Sequence, residues 1–432
     1  MGTSIIILTY NHLEKTKKCI ESIKTYTKDE VYEIIVVDNN SNDGTINWLK
    51  TQSDITVIYN KENRGFPSGC NQGISGANKN YDILLLNNDT IVTTNWLSNL
   101  RKCLYSKSNI GAVGPVSNCN DNLQGGSFTF KSFIDMQMKA IKNNVSDSNR
   151  WEEKVFLTGF CLLIKREVID KIKIKMLDER YSPGYIEDND LALQILSSSY
   201  KLFLCHDSFV YHERGTSFRE DINKFNSLIL RNRAIFEDKW HFSCFEFDNS
   251  KNSSIFLANK PKDILDYNSS IGVSSLRIKY FFRNSNITSL EEDADKRKFS
   301  SMFFKTVSCL NELNGNTFDT IFIGNYLEKV DSPILFLNSL RPYLKDKGRI
   351  IGEFKNISYL KNINLLLSDN WYYENFNKQN NFTRNDIIRM ALDSKYRVIT
   401  IYPFYHKEKE SISSIHTNSS SIYYYSFVIE KI

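Results

Sequence analysis

No apolar run in the 432 residues approaches the ~18–20 that a membrane-spanning helix needs. The amino-terminal stretch MGTSIIILTYNH lacks basic residues ahead of its short apolar run, so it does not read as a secretory signal. None of the eight cysteines stands in a CxxC pair, and their spacing is irregular. That pattern writes neither a zinc site nor a disulfide framework, and reduced, mostly buried thiols are expected. A large charge excess is also missing. A net charge of +5 and a pI near 8.5 give no electrostatic case for nucleic acid. Neither GxGxxG nor GxxxxGK[ST] follows a strand, which argues against dinucleotide-binding and P-loop sites. No internal repeat or coiled coil is present. What is there suffices for packed cores: 41% hydrophobic and 24% charged residues. At roughly 100–200 residues per domain, the length predicts two or three domains. The expectation is a soluble, cytoplasmic protein of more than one α/β domain.

The first half alternates strands and helices. The run 4–9, Ser-Ile-Ile-Ile-Leu-Thr, is β-branched and reads as a buried strand. Further strands are expected over 33–38, 55–59 and 82–86. Helices are expected over 13–26, from about 45, and over 69–79. This rhythm predicts a parallel sheet, which binds ligands at the carboxyl ends of its strands. Thr9, Asp38 and Asp89 fall there. Residues 105–150 have weak periodicity and read mostly as loop. A strand pattern over 154–165 follows, then a helix near 166–172. Residues 186–190 open another helix, 201–205 and 208–211 read as strands, and 222–242 as a long helix. A seam rich in Ser, Asn and Phe spans 243–260. A second α/β unit follows, with strands near 263–265, 287–290, 317–324, 349–354 and 397–403. Its helices are expected at 273–282, 333–343 and 385–393. The expected domains are 1–245 and 255–432.

Several side chains in the first unit suggest chemistry. The turns at Thr9-Tyr10-Asn11 and Asp38 offer partners for a base edge. Arg64 is a fixed cation that could meet a uracil or a phosphate. Asp89 ends a buried strand, where an ionised carboxylate is costly unless paired or metal-bound. His212 is a further candidate ligand. A pyrophosphate held without a glycine-rich loop needs another neutraliser, and a divalent metal on one or two carboxylates fits that need. Each residue also has a plainer role when read alone. Asp38 would be a turn residue, Asp89 a cap, Asp188 a solvated helix-start carboxylate and His212 a loop histidine.

Seven segments in order carry a resemblance: SIIILTYNHLEKTKKCIESI, EIIVVDNNSNDGT, NKENRGFPSGCNQGI, ILLLNNDT, TGFCLLIKREVID, YIEDNDLALQI and VYHERGTSF. Over roughly residues 3–240 the chain resembles family 2 glycosyltransferases of the GT-A fold. The resemblance implies that Thr9, Tyr10, Asn11 and Asp38 hold the uridine, with Arg64 and Asn71 nearby. Asn88 and Asp89 stand where the family has its Asp-x-Asp metal motif. Here the triplet is Asn87-Asn88-Asp89, with one carboxylate left. Asp188 matches the catalytic base, flanked by Glu187 and Asp190, which are expected to shape the substrate site. His212 matches a second metal or diphosphate contact, and Ser217 a diphosphate contact. The implied cofactor is Mn2+ or Mg2+.

Residues 260–405 resemble class I S-adenosylmethionine-dependent methyltransferases, most clearly over FDTIFIGNYLEKVDSPILFLNSLRPYLKDKGRIIGEFKN. The cofactor turn, residues 266–272, has a single glycine, so close backbone approach and positive φ are harder. Glu291 or Glu292 could stand where an acid binds the cofactor ribose, or be a surface charge. A degenerate domain is expected. A glycosyltransferase joined to such a unit resembles enzymes of clostridial flagellin-glycosylation loci. The resemblance therefore implies inverting transfer of a sugar, first N-acetylglucosamine, from a UDP-sugar to Ser or Thr of flagellin, with a homo-oligomer possible. The alternatives are synthesis of a surface polysaccharide on a lipid-linked or saccharide acceptor, a bifunctional glycosyltransferase–methyltransferase, and a non-catalytic nucleotide-sugar-binding scaffold.

Overall fold

The computed structural model describes residues 2–118, 124–126, 128–171, 176–213, 222–247, 255–359, 362–364, 380–405 and 422–432. The chain divides into two compact units, Met1–Phe247 and Asp248–Ile432.

The first unit is built on an eight-stranded sheet. Strands β1 (Thr3–Thr9), β2 (Tyr32–Asp38), β3 (Thr56–Tyr59) and β4 (Asp82–Asn87) are parallel, in the order β3-β2-β1-β4. A short β5 (Thr90–Ile91) follows β4. The sheet continues through β6 (Ile110–Val116), β7 (Trp151–Lys154), β8 (Cys161–Ile164) and β9 (Lys201–Phe209), in the order β4-β8-β6-β9-β7. β8 runs antiparallel to both β4 and β6. β10 (Tyr211–His212) leaves the sheet and pairs with β5, His212 opposite Thr90. The centre is buried on both faces, so Ile5, Ile6 and Ile7 all pack without exposure above 1%. That double burial is why the strand reads as a continuous β-branched run rather than an alternating one.

The helices are α1 (Leu13–Tyr26), α2 (Thr45–Leu49), α3 (Gly65–Gly76), α4 (Trp96–Leu104), α5 (Phe133–Asn143), α6 (Arg166–Lys171), α7 (Glu187–Ser197) and α8 (Ile222–Trp240). α3 begins four residues before the expected start and ends three before the expected end. The region 105–150 is more ordered than its sequence suggests. Glycines and a proline inside β6 hide a fully buried strand. The expected strand over 154–165 is broken between β7 and β8.

The second unit holds a seven-stranded sheet of β11 (Asp263–Tyr267), β12 (Asn286–Leu290), β13 (Lys305–Val307), β14 (Phe318–Gly324), β15 (Leu344–Lys355), β16 (Tyr396–Tyr405) and β17 (Ile422–Lys431). The order is β13-β12-β11-β14-β15-β17-β16. The first five strands are parallel, and β17 lies antiparallel between β15 and β16. Helices α9 (Val273–Phe281), α10 (Ala294–Ser300), α11 (Pro333–Leu340) and α12 (Arg384–Asp393) complete it. Both units are mixed α/β, as expected. Seven described cysteines are free, six of them buried. Among the described residues no helix is long and apolar enough to cross a membrane.

Candidate active site

Asp38 ends β2 fully buried. Its Oδ2 accepts from the Ser41 amide at 3.1 Å, while Oδ1 is buried without a hydrogen-bond partner among the described residues. A buried, unpaired carboxylate oxygen is costly, and a ligand donor is the usual remedy. Thr9 and Asn11 are otherwise occupied. Thr9 Oγ1 lies 2.9 Å from Thr16 Oγ1 and 3.2 Å from the Asn11 carbonyl oxygen. Asn11, at φ 59°, accepts from the Asn42 amide at 2.8 Å. Both therefore build the turn beside Asp38. Tyr10 and Arg64 are exposed and available.

Asp89 and His212 meet, with Oδ1 3.1 Å from Nε2. The β5–β10 pairing brings them together across 123 residues of sequence. Burial opposes the charged form of Asp89. The hydrogen bond and charge of His212, with Lys15 adding to them, outweigh that and hold the carboxyl below its ordinary value. Asn87 Nδ2 is 3.5 Å from the same imidazole nitrogen, so the first member of the triplet also faces the site. Asn88 does not. Its amide donates to Thr16 Oγ1 at 3.1 Å and Thr9 Oγ1 at 3.3 Å, which ties β4 to α1.

The phenyl ring of Phe160 stacks on His212, centroids 5.1 Å apart and planes within 10°. The Phe160 carbonyl accepts from the Asn87 amide at 2.8 Å. The neighbouring Gly159 amide donates to Asp188 Oδ2 at 3.2 Å. Gly159-Phe160 therefore joins the Asp89–His212 pair to Asp188. No sequence feature beyond membership of the TGFCLL segment marked either residue.

Asp188 opens α7 and stays partly exposed, its Oδ1 accepting from the Asn189 amide at 2.9 Å. Burial raises its pKa against the opposing pull of the Gly159 and Asn189 amides. Glu187 is more buried, and Oε2 has no hydrogen-bond partner among the described residues. Burial first, then the charge of Asp188, pushes its pKa up to about 8. Two expected site residues have other tasks. Asp190 is fully buried and bound to Lys239 Nζ at 2.7 Å, Trp240 Nε1 at 2.8 Å and Gln194 Nε2 at 2.7 Å. It locks α7 to α8 instead of facing a substrate. Asn71 donates to the Leu177 carbonyl and Glu179, and accepts from the Leu177 amide. It fastens the 177–179 loop. Ser217 lies outside the described residues.

Among the described residues no cluster of three or more His, Cys, Asp or Glu could hold a metal by itself. The Asp89–His212 pair still fits one. Mg2+-type ions take one or two carboxylates and complete their shell with substrate phosphates, and Asp89 supplies one such carboxylate.

The corresponding turn of the second unit fits its implied cofactor poorly. Asn268, Ser270 and Gly272 all adopt positive φ, so the turn is left-handed at three positions with only one glycine. The cavity there is about 210 Å³, lined by Tyr267, Asn268, Leu290, Glu291, Glu292, Asp293 and Tyr326. That is below the ~300–1,000 Å³ of small-molecule sites. Glu291 is no surface charge. It is 3% exposed and accepts from the Ser270 and Asp293 amides. Tyr267 packs edge-on against Tyr326 and Phe336.

Residues 4–173 match the model for glycosyl transferase family 2. An uncharacterized glycosyltransferase, YfnE of Bacillus subtilis (strain 168), is 24% identical over 304 residues, 60% of this chain and 74% of the relative. The next curated relatives are covered over less than half their length. Among solved structures, a mannosyltransferase from Pyrobaculum calidifontis in complex with GDP-Man and Mn2+ is 19% identical. It covers 54% of this chain and 63% of its own, with a TM-score of 0.40. A SAM dependent methyltransferase from Archaeoglobus fulgidus is 17% identical, with 46% and 99% coverage and a TM-score of 0.34.

Proposed function

We propose that this chain, an enzyme of the glycosyltransferase class, moves a sugar from a UDP-sugar to a hydroxyl acceptor with inversion at the anomeric carbon. The observation that carries the reading is the junction at Gly159-Phe160. It sets a half-buried carboxylate with a raised pKa beside an aspartate–histidine pair at the ends of the strands. The orphan oxygen of Asp38 supports a bound nucleoside, with Tyr10 and Arg64 at the same edge.

Asp188 is the base. As the acceptor oxygen forms its bond to the anomeric carbon, the bond from that carbon to the UDP oxygen breaks, and Asp188 takes the hydroxyl proton. The Gly159 and Asn189 amides hold the carboxylate in place for that transfer. Asp89 and His212 would hold a divalent ion, which supplies charge stabilisation for the departing diphosphate. Glu187 keeps the pocket beside the base from carrying two full charges. The donor is read first as UDP-N-acetylglucosamine, which enzymes of the resembled family often use, with UDP-glucose, UDP-galactose and dTDP-rhamnose as the alternatives. The acceptor is read as Ser or Thr of flagellin by the resemblance of the two-unit arrangement.

The test is UDP release by the full chain. UDP-N-acetylglucosamine, UDP-glucose, UDP-galactose and dTDP-rhamnose are supplied with Mn2+ or chelator, with flagellin or a saccharide as acceptor. Asp188→Asn should cut turnover about 10²–10⁴-fold while UDP still binds. Near-normal turnover of Asp188→Asn would remove the base assignment. Acceleration by a saccharide and none by flagellin would replace the acceptor.

A further inference from the structure

Asn232 of α8 is fully buried. Its amide nitrogen lies 3.0 Å from the Tyr181 carbonyl oxygen, 2.8 Å from that of Gly184 and 2.9 Å from that of Tyr185. Its amide oxygen accepts from the neighbouring Arg231, from Nε at 3.1 Å and a terminal nitrogen at 2.8 Å. The same guanidinium donates to the Ser182 carbonyl. Two adjacent residues of one helix therefore hold the carbonyls of the segment that leads into α7.

That segment needs holding. Tyr185 and Ile186 sit at φ 74° and 75°, immediately before Glu187 and Asp188. A β-branched residue in the left-handed region is a genuine outlier, and such strain persists only where the surroundings over-determine it. The Tyr185 ring also rests edge-on against Phe225 of α8, centroids 5.2 Å apart. On the other side of the base, Lys239 and Trp240 of the same helix grip Asp190. Glu187 and Asp188 stand between the two grips. A general packing role for position 232 needs only an apolar side chain. A buried amide aimed at three carbonyls is costly unless those bonds are the purpose.

We propose that Asn232, braced by Arg231, is a positioning residue: it holds the strained Tyr185–Ile186 turn so that Asp188 is delivered to the Gly159 amide. The proposal rests on the reading of Asp188 as the base. It adds a determinant on α8, 44 residues further along the chain, outside the matched span of 4–173.

The experiment compares Asn232→Ala, Arg231→Ala and Asp188→Asn in the full chain. Turnover is measured with whichever of UDP-N-acetylglucosamine, UDP-glucose or UDP-galactose is hydrolysed best, and UDP affinity is measured separately by calorimetry. Asn232→Ala should lower kcat about tenfold or more, with donor KM and UDP affinity within about twofold, because misplacing a reacting group costs rate and not uniform binding. Arg231 is exposed, so Arg231→Ala tests the same clamp without emptying the core. It should lower kcat about two- to fivefold at constant KM. If Asn232→Ala does not fold, Arg231→Ala decides alone. If Asp188→Asn is inactive while the clamp variants turn over normally, the positioning inference fails and the base reading stands. If kcat, KM and UDP affinity all deteriorate together in either variant, the role is general support and the inference also fails. If Asp188→Asn keeps its turnover, the base reading fails and takes this inference with it.

Discussion

Glu187 is the residue whose ionisation the fold opposes most visibly. One of its oxygens is buried without a hydrogen-bond partner among the described residues, and Asp188 is adjacent. Its pKa rises from an ordinary 4.5 to about 8. The folded state therefore binds that proton more tightly than the unfolded chain does. The stability this contributes is complete below 4.5 and is lost as pH rises through about 8. Glu187→Gln, which mimics the protonated form, should melt with the parent below about pH 4 and a few degrees above it at about pH 9. Equal melting at pH 9 would mean that Glu187 ionises without penalty. The same proton explains how two neighbouring carboxyls can serve one reaction: a pair carrying one charge leaves Asp188 free to act as the base. At this scale the sequence was partly legible. Asp38, Asp89, Asp188 and His212 stand at the expected strand and helix ends because those turns expose chemistry. Asn71, Asn88 and Asp190 belong to the same motifs but point into the scaffold. A motif records which side chain is present and not which way it faces. Asn232 was invisible for a related reason, since a lone asparagine in a helix has no local pattern.

At the scale of elements, α3 shows why boundaries escape a sequence reading. The apolar spacing begins near Cys70, but the helix begins at Gly65, where φ is +80°. A Cβ there would come within 2.7 Å of Pro183 Cα, and the Phe66 amide donates to the Pro183 carbonyl at 2.8 Å. Gly65 is thus the point where α3 touches the segment that Asn232 holds from the other side. Gly65→Ala should cost roughly 1–3 kcal/mol in stability from backbone strain and overpacking, and should lower kcat with it. Gly76, the last residue of the same helix, is the control. A Cβ there meets only Ile58 Cδ1 at 3.6 Å, so Gly76→Ala should lie within about 0.5 kcal/mol of the parent. Denaturant midpoints for the two variants separate the close approach at Gly65 from a mere preference for alanine in helices. Equal midpoints would show that the 182–184 segment moves aside without cost. Several strands of the second unit were easier to read, because β11, β14 and β15 each contain a short apolar run. β13 and β17 were missed, the first for its three residues and the second for its tyrosine-rich start.

On the scale of the whole molecule, the proposed chemistry lies in the first unit, while the second is a mixed sheet of five parallel strands with β17 antiparallel between β15 and β16. Its turn retains left-handed backbone at Asn268, Ser270 and Gly272, and the cavity beside it is only about 210 Å³. Glu291 is the decisive residue. Both its oxygens accept backbone amides, from Ser270 and Asp293, so it is fastened into the turn and part of its acceptor capacity is spent there. The full chain should therefore show no thermal shift with S-adenosylmethionine. A site of 10 μM affinity at 1 mM ligand would gain about 2.7 kcal/mol, which is several degrees and easily seen. Tyr267→Ala serves as the companion variant. It removes the ring that packs against Tyr326 and Phe336, and so enlarges the cavity without touching the Glu291 bonds. If the parent gives no shift and Tyr267→Ala gives one, crowding by the ring is what excludes the cofactor. If neither responds, the turn fastened by Glu291 is sufficient. A shift in the parent would mean that the turn opens in solution, and a methyl-transfer role for the second unit would return.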